Sequence, residues 1–123
     1  MIKDSEVFKP RFQAYMALAL YKTGEREKAD SIIRKLEAMS RFTTANSPEY
    51  FVGWFFMGTG QTDSAFVWLD KAYSNHSTQL TWLNADPVYD RIRNDLRFKD
   101  LYEKTGHGAY AQGVSFSGPL IKK

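Results

Sequence analysis

Apolar residues return every three or four positions over most of the first hundred residues, and glycine or proline marks where each such stretch starts or stops. Pro10 suits the first turn of a helix, where its missing N–H has no intrahelical partner to lose. Residues 11–23 contain no breaker, and Phe12, Tyr15, Met16, Ala19 and Leu20 recur at helical spacing. Gly24 is a natural C-terminal stop. After it, Ala29, Ile32, Ile33 and Leu36 fall at i, i+3, i+4 and i+7, a single apolar stripe. The pattern predicts two antiparallel helices joined by a very short turn, over about residues 10–41.

Residues 41–46 carry no apolar period and read as a loop. Ser47-Pro48-Glu49 then announces a helix with a serine cap, proline at the first helical position and an acid in the first turn. That helix should run to about Met57 and stop at Gly58-Thr59-Gly60. Thr62 or Asp63 can start the next, which places Ala65, Trp68, Leu69, Ala72 and Tyr73 along one face. A second hairpin is therefore expected over residues 47–76. Ala17, Gly24, Ala29 and Leu36 map onto Gly53, Gly60, Ala65 and Ala72 with a constant offset of 36. Small residues return where two helices must approach closely, and glycine returns at the turn. A period in this range, built from helix pairs, predicts stacked hairpins.

Beyond residue 77 the pattern changes. Residues 78–83 can form a short helical turn presenting Leu80, Trp82 and Leu83. Asp86-Pro87 is a strong helix start, with Tyr89 and Ile92 facing inward. Asn94 or Asp95 can cap a last helix that buries Phe98, Leu101 and Tyr102 and ends at Gly106. Residues 107–123 have no periodic apolar positions and read as a mobile tail.

A small residue midway along the first helix, glycine at the turn and alanine five residues later resemble the tetratricopeptide repeat, whose usual period is about 34 residues. The resemblance covers about residues 10–77. Gln13 and Glu49 stand where that family often has tryptophan, and Leu20 and Phe56 where it often has tyrosine. Residues 82–87, then Tyr89-Asp90 and Arg97-Phe98, look like the closing segment of the tetratricopeptide region at the C-terminus of many large bacterial signalling proteins, among them kinases, cyclases and transcription regulators. The resemblance implies an all-α fold: a right-handed array of two antiparallel helix hairpins, closed by a C-terminal helical cap over residues 78–106. Residues 1–106 would then form one domain at the end of a larger protein.

Composition narrows the function. Seventeen Lys and Arg against fourteen Asp and Glu give +3, and the excess is spread out. Residues 86–104 hold five acids and five bases, so no basic stripe forms and no nucleic-acid partner is expected. The absence of cysteine excludes disulfides and thiolate metal sites. The longest apolar run, residues 50–57, falls far short of the ~20 residues of a membrane helix. No secretory signal is visible at the start, and a cytoplasmic location is expected.

Catalytic chemistry is equally thin. Gly58-Thr59-Gly60-Gln61-Thr62 lacks the lysine of a phosphate-binding loop and reads as an ordinary turn. His76 and His107 have no second ligand at helical spacing, so no metal or cofactor is expected. The acids have plain roles as caps and ion-pair partners, and no nucleophile sits in a recognisable elbow. The expectation is a non-catalytic module.

The run Tyr50-Phe51-Val52-Gly53-Trp54-Phe55-Phe56-Met57 carries the remaining information. A helix apolar on every side is normally buried on every side. One edge of it, Tyr50, Trp54 and Met57, could instead line a groove. In tetratricopeptide proteins the first helix of each hairpin lines the concave face, which by resemblance adds Arg11, Ala14, Leu18, Tyr21 and Lys22. Aromatic anchors with flanking Arg and Lys suit an extended peptide with an acidic end. The expected function is protein or peptide binding. The alternative is a structural spacer or a self-association surface, giving a homodimer through the apolar flank of the first helix.

Overall fold

The computed structural model describes residues 9–43 and 46–105. Among these residues the chain is helical, with no strand. In order come α1 (Pro10–Lys22), α2 (Arg26–Met39), α3 (Pro48–Gly58), α4 (Thr62–Ser74), two 3-10 helices (Thr78–Leu83 and Pro87–Ile92) and α5 (Leu96–Lys104). No helix among the described residues is long and apolar enough to cross a membrane. The expected stop at Gly106 and the tail 107–123 lie outside the described residues. The chain divides into two compact units, Met1–Gln79 and Leu80–Lys123. The division falls close to residue 78, where the sequence places the start of a cap.

In the first unit, α1 packs on α2, α3 packs on α4, and α3 also touches both α1 and α2. The helix richest in apolar residues is thus the one with the most neighbours. It buries Pro48, Glu49, Tyr50, Phe51, Val52, Gly53, Phe55 and Met57. Burial all round is what an all-apolar helix requires. On α2 the predicted stripe is buried at Ala29, Ile33 and Leu36, with Ile32 half-buried. On α4 the inner face is Ala65, Phe66, Leu69 and Ala72, while Tyr73 is exposed.

The stripe read on α1 is not the face that α1 buries. Phe12, Tyr15 and Met16 are 43%, 49% and 46% exposed, whereas Ala14 and Ala17 are sealed. Small side chains let helix backbones approach closely, and this is the face α1 turns to its neighbours. The larger residues remain outside.

Three turns repeat one hydrogen-bond pattern. After α1, the Gly24 N–H donates to the Tyr21 carbonyl (3.2 Å) and the Glu25 N–H to that of Leu20 (2.8 Å). After α3, Gly60 donates to Met57 (3.2 Å) and Gln61 to Phe56 (2.9 Å). After α4, His76 donates to Tyr73 (3.0 Å) and Ser77 to Ala72 (2.9 Å). This paired closure satisfies carbonyls that the helix end leaves open, and it needs a left-handed residue in the middle. Gly24 (φ 97°), Gly60 (φ 82°) and His76 (φ 58°) fill that place. The hydroxyls of Thr23 and Thr59 cap the same two helix ends, donating to the carbonyls of Leu20 and Phe56 (both 3.1 Å).

Around Gly60 a Cβ would meet nothing within 4 Å, so a larger residue there costs only backbone strain. Gly60→Val is expected to lower stability by ~1 kcal/mol or more. His76→Gly should raise it by a similar amount, because it relieves the same strain. Urea midpoints that stay fixed in both variants would contradict this account of the turns.

The start of α3 differs from its predicted capping. Ser47 occupies the cap position but is left-handed (φ 54°), and its side chain makes no capping bond. Its hydroxyl instead accepts from Ser77 (2.8 Å), whose oxygen in turn accepts from the Gln79 N–H (3.2 Å). Ser47 therefore ties the entry of α3 to the exit of α4.

In the second unit the predicted caps appear. Asp86 accepts from the Val88 N–H (2.9 Å) and Asp95 from that of Arg97 (2.8 Å). The Asp86 cap opens a 3-10 helix. Hydrogen bonds from the Arg97 side chain and backbone hold the Asp95 carboxyl below the usual carboxylate range. Leu80, Leu83, Tyr89, Phe98 and Leu101 are buried, and Trp82 is exposed. Arg93 ties the unit together. It donates to the carbonyls of Leu83 (3.1 Å) and Asp86 (3.2 Å), pairs with Asp90 (2.9 Å) and lies 5.6 Å over the Phe98 ring.

Candidate peptide-binding surface

The contact between α1 and α3 brings part of the predicted site together. The Tyr15 and Trp54 rings meet at 5.1 Å with planes tilted by 53°. Six residues further along α1, Tyr21 sets its ring against Phe55, edge to face at 5.8 Å. The Arg26 guanidinium lies 4.5 Å over the Tyr21 ring. Tyr15 is half exposed and Trp54 half-buried, so this ring pair reaches the surface. Arg11, Leu18 and Lys22 share a face with Tyr15, at i−4, i+3 and i+7. Arg11 and Lys22 are exposed, while Leu18 and Tyr21 are half-buried.

The other three predicted residues are not available to a ligand. Ala14 is sealed, and Tyr50 and Met57 are each 1% exposed. Tyr50 packs edge to face on Phe51 at 5.1 Å. Their spacing predicts an edge of α3 turned to a groove, but α3 is covered at both positions. Tyr15 joins this surface although the predicted set lacks it. It stands one helical turn after Arg11, a relation masked by its place in the apolar stripe of α1.

A second polar feature lies in the first unit. A pocket of about 350 Å3 is lined by Ser40, Arg41, Glu49, Asp70, Lys71, Ser74 and Asn75. Asn75 donates to one carboxylate oxygen of the buried Glu49 at 2.6 Å, and the other oxygen is buried with no hydrogen-bond partner among the described residues. Lys71 is held 4.0 Å over the Trp68 ring. In the second unit, Asn84, Arg93, Phe98, Lys99, Tyr102 and Glu103 line a pocket of about 320 Å3, where the Tyr102 hydroxyl donates to Asn84 (3.0 Å). Among the described residues no three His, Cys, Asp or Glu side chains gather as metal ligands. His76 is exposed at its turn, and His107 lies outside the described residues.

Set against family models, curated proteins and solved structures, the chain matches none of them.

Proposed function

We propose that this chain is a non-catalytic, tetratricopeptide-type helical module that grips a peptide segment with an acidic end along α1 and α3. In this reading α1–α2 and α3–α4 are two stacked hairpins of a right-handed array, and the segments after them act as its cap. Supporting it are the offset of 36 residues, the two matching glycine turns and the small residues Ala17 and Gly53 at equivalent positions. The observation that carries the binding reading is the Tyr15–Trp54 ring pair at the surface. Flat rings supply contact area at little entropic cost, and the adjoining Arg11 and Lys22 supply charge-assisted hydrogen bonds to a carboxylate.

The test is a display library of short peptides ending in Asp or Glu, with hits measured by fluorescence anisotropy. Tyr15→Ala is expected to weaken a hit by ~2 kcal/mol, about 30-fold, with the helical circular dichroism signal unchanged. Arg11→Ala and Lys22→Ala should each weaken it less and flatten its salt dependence. The proposal fails if no acidic-ended peptide binds the folded chain, or if binding ignores Tyr15.

A further inference from the structure

The polar pocket of the first unit gathers charge of both signs around one buried acid. Arg41 follows α2, Glu49 stands in the first turn of α3, and Asp70, Lys71 and Asn75 come from the end of α4. Glu49 is 1% exposed whereas the other four are exposed, so Glu49 lies innermost. Asn75 commits an amide N–H to Glu49 Oε2 at 2.6 Å, which leaves its own amide oxygen to accept. Glu49 Oε1 is buried with no hydrogen-bond partner among the described residues. Arg41, Glu49 and Asp70 make no ion pair among those residues either, and Lys71 holds its ammonium 4.0 Å over the Trp68 ring. A buried carboxylate oxygen without a donor is costly, and a ligand can bring the donor that this wall lacks.

We propose that this pocket binds a free α-amino acid. A purely cationic ligand would face Arg41 and Lys71, and a purely anionic one would face Glu49 and Asp70. A small zwitterion answers both signs. Its ammonium has three N–H donors, and Glu49 Oε1, the Asn75 amide oxygen and the Asp70 carboxylate are acceptors on the wall. Its carboxylate suits the planar guanidinium of Arg41, which can hold both oxygens at once. The volume of about 350 Å3 has room for about ten water-sized groups, which matches an amino acid. A metal ion is served less well, because no third His, Cys, Asp or Glu joins the two acids among the described residues. The pocket is independent of the peptide grip, which uses α1 and Trp54.

Heteronuclear NMR titration of the isotope-labelled full chain tests it, with each L-α-amino acid, its methyl ester and its N-acetyl form as probes. The ester keeps the ammonium without the carboxylate, and the N-acetyl form does the reverse. At least one free amino acid should bind with a dissociation constant below about 1 mM and shift the Asn75 side-chain amide signal. Its two blocked forms should bind at least ~10-fold more weakly. Glu49→Gln keeps an oxygen for the Asn75 bond and should weaken the amino acid by ~10-fold or more. Arg41→Ala removes an exposed side chain, so no packing is lost. It should weaken the free amino acid by a similar factor and leave the methyl ester unchanged. Circular dichroism confirms that each variant is folded, and Arg41→Ala decides the matter if Glu49→Gln is not. The proposal is overturned if no amino acid binds, or if binding ignores Arg41→Ala. A methyl ester that binds as tightly as its free acid also overturns it, because the pocket would then take amines alone.

Discussion

Gly53→Val is expected to lower the stability of the fold by ~2 kcal/mol. Gly53 lies where α3 meets α4. A Cβ there would sit 3.0 Å from Cγ and Cδ2 of Leu69 and 3.2 Å from the Ala65 carbonyl oxygen. Leu69 is completely buried, so its side chain has no free space to swing into, and the Ala65 oxygen belongs to the backbone of α4. The two helices must move apart or Leu69 must leave its rotamer. Valine recovers a few tenths of a kcal/mol of helix propensity over glycine, too little to offset the clash. Gly53→Ala makes the same first contacts without the branched methyls and gains nearly 1 kcal/mol in propensity, so its net cost should be smaller. Urea denaturation reads both changes as midpoint shifts at constant slope. A Gly53→Val midpoint equal to that of the parent would mean that α3 and α4 do not approach this closely.

Most helix limits were legible because local chemistry sets them. Pro10, Pro48 and Pro87 each stand at the first position of a helix, and Gly24 and Gly60 hold the turns that end two of them. Periodicity reports which residues share a face, but not what lies against that face. On α1 it picked out the aromatic stripe, although the buried contacts belong to Ala14 and Ala17. Nothing local distinguishes a large residue on an uncovered flank from one in a core. The same gap hid the tie from Ser47 to Ser77, the bond from Asn75 to Glu49 and the Arg93 cluster. Those partners stand 30, 26 and up to 10 residues apart. Ser47 reads locally as a cap, and only the path of the chain after α4 redirects its hydroxyl. Of the candidate residues on α1, Arg11, Leu18, Tyr21 and Lys22 reach the surface and Ala14 does not, because it faces the neighbouring helices. On α3 only Trp54 of the three does, because that helix is covered on nearly every side.

Tyr50→Ala is expected to cost ~3–5 kcal/mol, the range for removing a buried ring. Two readings of Tyr50 give opposite outcomes. As a groove residue it would be dispensable for folding, and its loss would weaken only peptide binding. Its 1% exposure and its edge-to-face contact with Phe51 instead make it core. Truncation loses the transfer free energy of the ring and leaves a cavity that the packed α3 can close only in part. Tyr50→Phe keeps the ring and should retain most of the stability. Tyr15→Ala is the matched comparison on α1. Its ring is half in water already, so less burial is lost and no sealed cavity forms, and its cost should stay near or below ~1 kcal/mol. Equilibrium denaturation of the three variants separates the readings in one experiment. A Tyr50→Ala protein as stable as the parent would return Tyr50 to the binding surface. A Tyr15→Ala protein that unfolds as readily as Tyr50→Ala would remove Tyr15 from it.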